Sequence, residues 1–128
     1  MVCSSSSYNP LVLAYLGDAY FEILAREYLA GSGDVRLSEL NRRSKCIVTA
    51  GAQAAFARRM LPLLNEKEIA VFKSGRNAKS PHRSKSSTAI DYRFATGLEC
   101  LYGYYWVCNM QERAKSLFLK CVLEDLEG

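Results

Sequence analysis

Residues 11–29, LVLAYLGDAYFEILAREYL, set the strongest constraint on what this chain can become. At helical spacing Leu11, Leu13, Leu16, Tyr20, Phe21, Ile23 and Leu24 point in every direction rather than along one stripe. The helix they form is therefore expected to be buried nearly all round. Asp18 sits inside that run. A carboxylate in apolar surroundings is costly unless an arginine, backbone amides or a metal ion meets it, and the rest of the chain has to supply one of these.

That rest also reads as helix. Gly31 is placed to end the first helix as a left-handed residue, and a second helix starts near Val35. Residues 37–64 divide into two helices, with Thr49 capping the later one and Pro62 disturbing its end. Asn65 followed by Glu66 and Glu68 is a capped start with acids at the positive end of the dipole, and that helix should run to about Gly75. Residues 89–107 form a second buried helix, rich in aromatics, whose awkward acid is Glu99; Gly97 and Gly103 on either side let another helix approach closely. Asn109 is expected to cap a last helix, 110–126, in which Ala114, Leu117, Phe118, Cys121 and Val122 make one stripe. Strand alternation and internal repeats are absent from the sequence, so an all-α fold is expected, with one domain over residues 11–128. Residues 1–10, MVCSSSSYNP, lack the positive region and apolar core of a secretory signal and read as a flexible tail, with no export implied. At 128 residues the chain is small for a helical fold carrying a long charged loop, and dimerisation would help it.

Composition narrows function by exclusion. With 49% hydrophobic and 23% charged residues the chain is globular. Charges at Asp18, Glu22 and Arg26 break the longest apolar run, so no membrane span is expected. Five cysteines without a C-x-x-C pair fit neither a disulfide framework nor a zinc site, and are expected to be reduced, structural and cytosolic. His82, the only histidine, lies among Ser and Lys residues, which sets most histidine-based catalysis aside. Chemistry is left to carboxylates.

Asp18 and Glu99 lie on two helices expected to cross, and could meet. Two carboxylates from facing helices make a site for a hard divalent ion, which for magnesium keeps several waters that substrate phosphates can replace. The competing reading pairs each acid with an arginine, such as Arg26 or Arg93. Between Ile69 and Ile90 there is no acid, while Lys73, Arg76, Lys79, Arg83 and Lys85 accumulate and account for the whole net charge of +4. Residues 74–88, SGRNAKSPHRSKSST, are rich in Gly, Ser and Pro and read as a basic loop suited to nucleic-acid phosphates. A phosphate-binding loop beside a magnesium site suggests phosphodiester hydrolysis.

These residues also carry a resemblance. Tyr15-Leu16-Gly17-Asp18-Ala19 resembles the signature helix of the ribonuclease III endonuclease domain, in which Leu-Gly-Asp supplies a metal-binding aspartate. Glu99-Cys100-Leu101-Tyr102-Gly103 is similar to that family's Glu-Ala-Leu-x-Gly, whose glutamate is another metal ligand. Gly75-Arg76-Asn77-Ala78-Lys79-Ser80, with Tyr92-Arg93 and Thr96-x-x-Glu99 after it, resembles Mini-ribonuclease III, the small branch without a separate double-stranded-RNA-binding domain. Two acids of the larger family are missing: its glutamate one turn before the aspartate is Ala14 here, and its second aspartate is Thr96. Both changes look like those of the Mini branch, an active nuclease.

The resemblance implies a helical homodimer with the ribonuclease III endonuclease-domain fold, the signature helices at the subunit interface and one metal site per subunit. It implies Asp18 and Glu99 as catalytic metal ligands for Mg2+, with Mn2+ able to substitute. Lys73, Arg76, Asn77, Lys79, Ser80, Arg83 and Lys85 would grip double-stranded RNA by its backbone, with His82 as a further RNA contact. The expected function is a cytoplasmic endoribonuclease maturing 23S (large-subunit) ribosomal RNA precursor, with a ribosomal protein as an accessory. Two alternatives stand beside it: a catalytically silent ribonuclease III-like module that binds structured RNA, and a helical protein-interaction domain whose basic loop is merely solvated.

Overall fold

The computed structural model describes residues 8–31, 33, 36–78 and 88–127, with side chains described as far as Val122. Among them are six α-helices and no strand. The first, α1, runs Pro10–Ala30. It starts earlier than the apolar run because Asn9 accepts the Val12 N–H at 2.9 Å and Pro10 occupies the first turn, where its missing N–H costs nothing. Pro10, expected in the tail, belongs to this helix. Helix α2 is Leu37–Val48 and α3 is Ala50–Met60, divided at Thr49, whose hydroxyl accepts the Ala52 N–H. Pro62 lies in a 3-10 turn, Leu61–Leu63, as its effect on the helix end anticipates. Helix α4 is Glu66–Asn77, α5 is Ala89–Val107 and α6 is Gln111–Glu127.

Three expectations need correction. Gly31 has φ −75° and ends α1 in an ordinary helical conformation; the positive φ falls at Gly33, at 110°. Asn109 does not open α6. It takes φ 56°, its N–H bonds to the Trp106 carbonyl and the Met110 N–H to that of Tyr105, which is the paired closure that ends a helix through a left-handed residue. Asparagine tolerates that conformation better than other non-glycine residues. Lastly, Cys108 is disulfide-bonded, while Cys46 and Cys100 are free thiols.

Helices α1 and α5 form the central pair, with α3 and α4 also packed on α5. The pair is in main-chain contact. A β-carbon on Gly103 would lie 1.9 Å from the Leu13 carbonyl oxygen, so only glycine allows the helices to come this close. Beside the crossing, Phe21 is fully buried and meets Phe56, Tyr102 and Phe118 edge-on at centroid distances of 5.1, 5.3 and 5.5 Å. Burying such a ring contributes roughly 1.5–3 kcal/mol, so this cluster fixes α1, α3, α5 and α6 together. The opposite face of α1 is not covered: Tyr15, Ile23 and Val12 are exposed, and Trp106 of α5, also exposed, lines one groove with Ile23. Tyr20 and Trp106 meet with tilted rings, 5.2 Å between centroids, along an apolar groove of about 600 Å3 that Leu16, Ala19, Ile23 and Leu24 also line.

A buried ion pair ties α4 to α6. Glu68 is 1% exposed. Its carboxylate accepts from the Asn65 N–H at 2.9 Å, from Arg113 Nε and Nη2 at 2.8 Å each, and from the Tyr105 hydroxyl at 2.8 Å. The two-pronged Arg113 contact is the geometry in which a desolvated carboxylate is best compensated.

Candidate active site

The α1–α5 crossing sets the site. Gly17 lies against the Glu99 main chain, and a β-carbon there would sit 1.6 Å from the Glu99 carbonyl oxygen. Asp18 is the next residue along α1, so the contact that joins the helices carries one acid to the other. Their carboxyls lie close enough for the charge of Asp18 to act on Glu99. Asp18 is exposed and Glu99 half-buried, so the pair opens to solvent on the Asp18 side.

Two carboxyls brought this close favour the state in which one keeps its proton. Glu99 is the one that does: its pKa is pushed up to about 8, by burial first and then by the charge of Asp18, against a lowering effect of Gln53. That proton offsets a repulsion that a divalent cation could relieve instead. The donors also suit such an ion, being hard carboxylate oxygens with solvent on one side. Two acids are all the helices bring: among the described residues no group of three His, Cys, Asp or Glu could hold a metal ion. Ala14 is a buried methyl, and the Thr96 hydroxyl donates to the Tyr92 carbonyl of its own helix at 2.9 Å.

Arginine pairing takes another course. Arg26 binds Glu22 on the outer face of α1 at 3.1 Å. Arg93 is exposed, on the wall of a small cleft with Arg76, Asn77, Ile90 and Phe94.

The basic segment begins on a helix rather than a loop. Lys73, Arg76 and Asn77 lie on the last turns of α4, where Arg76 Nε donates to Asn77 Oδ1 at 3.2 Å. Gly75 makes this possible: a β-carbon on it would stand 2.4 Å from Cys100 Cβ and 3.0 Å from the Thr96 carbonyl oxygen. The turn that carries Arg76 is therefore pressed onto the stretch of α5 that carries Glu99. Lys79, Ser80, His82, Arg83 and Lys85 lie outside the described residues.

One residue at the site escaped the sequence reading. Gln53 of α3 is 2% exposed and acts to lower the Glu99 pKa. Its only signal was a lone amide in the alanine-rich stretch from 50 to 57.

Comparison with known proteins bears on this arrangement. Residues 11–110 match the family described as "Ribonuclease III domain". The Mini-ribonuclease 3 of Clostridium tetani (strain Massachusetts / E88) is 44% identical over 110 residues, covering 85% of this chain and 73% of that protein. The Mini-ribonuclease 3 of Enterococcus faecalis (strain ATCC 700802 / V583) is 40% identical over 116 residues, covering 89% of this chain and 88% of that protein. A crystal structure of a Fusobacterium nucleatum protein superposes with a TM-score of 0.81 at 29% identity, covering 92% of this chain and 94% of that one.

Proposed function

The chain belongs to the ribonuclease III family, in its Mini-ribonuclease 3 branch, and is an endoribonuclease; we propose that it cuts double-stranded RNA at a divalent-metal site made by Asp18 and Glu99. One observation carries this reading: Gly17 packs on the Glu99 main chain, so that Asp18 and Glu99, acids from different helices, come together at the α1–α5 crossing. Mg2+, or Mn2+ in its place, would supply Lewis acidity toward phosphate oxygens and lower the pKa of water there.

The chain's own residues do the rest. Asp18 and Glu99 hold the ion. Lys73, Arg76 and Asn77 grip the RNA backbone, with Lys79, Ser80, Arg83 and Lys85 continuing the grip, and recognition is mainly by the shape of the A-form duplex. The exposed apolar face of α1 and Trp106 form the interface of a homodimer, which places one site against each strand. The substrate is a large-subunit (23S) ribosomal RNA precursor in the cytoplasm, presented with a ribosomal protein as accessory; the resemblance to the Mini branch supports this assignment. Among the described residues no helix is long and apolar enough to cross a membrane. A catalytically silent RNA-binding module would have no use for the paired acids.

The test is Asp18→Asn, which should leave the protein folded and abolish magnesium-dependent cleavage of duplex RNA, followed by mapping of the product ends. Undiminished cleavage by this variant would overturn the assignment.

A further inference from the structure

Two guanidiniums, Arg76 on the last turn of α4 and Arg93 near the start of α5, line one small cleft with Asn77, Ile90 and Phe94. Its volume, about 220 Å3, is below the roughly 300–1,000 Å3 of a site for a drug-sized molecule and suits one compact group. Like charges on the walls of such a cleft repel, and no acid offsets them. Among the described residues neither Arg76 nor Arg93 forms an ion pair, and residues 69–90 contain no Asp or Glu. Arg58 is the contrast: it lies over the Phe94 ring at 4.8 Å and is matched by Asp91 at 3.2 Å. Arg76 gives Nε to Asn77 Oδ1 at 3.2 Å, and a guanidinium has further N–H groups in the same fork. Resting on the reading of the chain as a nuclease of double-stranded RNA, we propose that this cleft is a phosphate subsite, in which Arg76 and Arg93 together clamp one backbone phosphodiester of the duplex.

Three considerations favour this over two solvated surface charges. The walls are fixed: a β-carbon on Gly75 would stand 2.4 Å from Cys100 Cβ, so the turn that carries Arg76 is set against the helix that carries Arg93. Phe94 between them is held edge-on by Phe72 at 5.6 Å. A site whose backbone is already in place loses little freedom when it binds. The chemistry also matches, since the planar guanidinium fork pairs with phosphate oxygens through charge-assisted hydrogen bonds. Finally, the cleft is apart from the carboxylates. Arg93 precedes Glu99 by six residues, about 9 Å along the helix, so the clamped phosphate is not the one being cut. Ile90, 62% exposed at the same cleft, offers the neighbouring sugar an apolar surface.

Arg93 is exposed, so Arg93→Gln should keep the thermal midpoint within about 2 °C of the wild type. Its Kd for a short RNA duplex, measured in EDTA so that no strand is cut, should rise about 10-fold or more. An unchanged Kd would overturn the subsite. Arg93→Lys keeps the charge and loses the fork, and should recover only part of the affinity; full recovery would overturn the clamp. Arg76→Gln combined with Arg93→Gln should raise Kd by less than the product of the two single effects, because both groups hold one phosphate. The slope of log affinity against log salt should fall by about 1 in that double variant. A rise equal to the product, with the slope reduced by about 2, would assign the arginines to separate phosphates and overturn the shared cleft. The source of the phosphate is read from the Arg93 Nε–H NMR signal, which should shift with the duplex. A shift given by inorganic phosphate at matched ionic strength, and not by the duplex, would overturn the RNA assignment. Wild-type protein separates the two possible failures. If it binds and cuts duplex RNA while Arg93→Gln binds equally well, the nuclease reading stands and the subsite falls. If it neither binds nor cuts, the nuclease reading falls and takes the subsite with it.

Discussion

Gly17 and the carbonyl of Glu99 occupy each other's space so closely that a single added carbon would overlap the oxygen. Nothing at this point is a flexible side chain that could swing aside. Gly17→Ala must either part α1 from α5 or shift one along the other, and the expected destabilisation is about 3 kcal/mol or more, at the upper end for overpacked cores. Thermal unfolding checks this, and a midpoint unchanged from wild type would mean that the crossing can open without cost. Because Asp18 travels with Gly17, cleavage should fall even where the variant remains folded.

The buried pair of Glu68 and Arg113 has a signature in acid. Burial raises the Glu68 pKa, but the Arg113 guanidinium, the Asn65 main-chain N–H and the Tyr105 hydroxyl outweigh it and hold the carboxyl below its ordinary value of 4.5. An acid lowered in the folded state stabilises it above the unfolded pKa, and that stability drains away as pH falls through the folded one. The window therefore lies below about pH 4.5. Glu68→Gln should lose roughly 3–5 kcal/mol at pH 7, the usual cost of breaking a buried pair, yet show a flatter decline in acid than wild type. Urea titrations at pH 7 and at about pH 3.5 decide the point, and parallel declines for the two proteins would rule it out.

Lys73 and Arg76 carry their charge on the last turns of α4, away from the core. Replacing both by alanine should weaken duplex RNA binding and reduce the slope of log affinity against log salt by about 1 for each phosphate no longer neutralised. Melting temperature should hardly change. Identical salt slopes for variant and wild type would exclude this turn from the phosphate grip.

Ile23 and Trp106 face one apolar groove and are 55% and 49% exposed. A lysine at each would place unpaired charge in any interface formed there, which is prohibitive when buried. On the proposed homodimer, the double variant should sediment at half the mass of the wild-type protein while keeping its helical spectrum. A variant that stays dimeric would place the interface elsewhere.

The sequence was most legible where the signal is local. Thr49 and Asn65 mark helix starts because a short side chain bonds an amide three residues on, a relationship contained in the sequence itself. The paired acids were legible because a carboxylate in an apolar helix demands an explanation. Asn109 misled because an asparagine suits both the start and the end of a helix, and only the surrounding backbone decides which. Gly31 misled for a related reason, since α1 ends without a left-handed residue. Glu68 read as a dipole-facing acid; its burial depends on Arg113 of another helix. Gln53 likewise read as one amide in an alanine-rich stretch, and its burial is set by the helices packed around α3. Gly75 read as a helix stop, yet α4 continues through it because its missing side chain is what lets it pack on Cys100.

Helix α4 is held at both ends, by Asn65 and Arg113 around Glu68 at its start and by Gly75 against α5 near its finish. A rod fastened in two places neither swings nor slides. Arg76 accordingly keeps a constant offset from Glu99, and on the proposed reading a duplex is seated where its backbone spacing matches that offset.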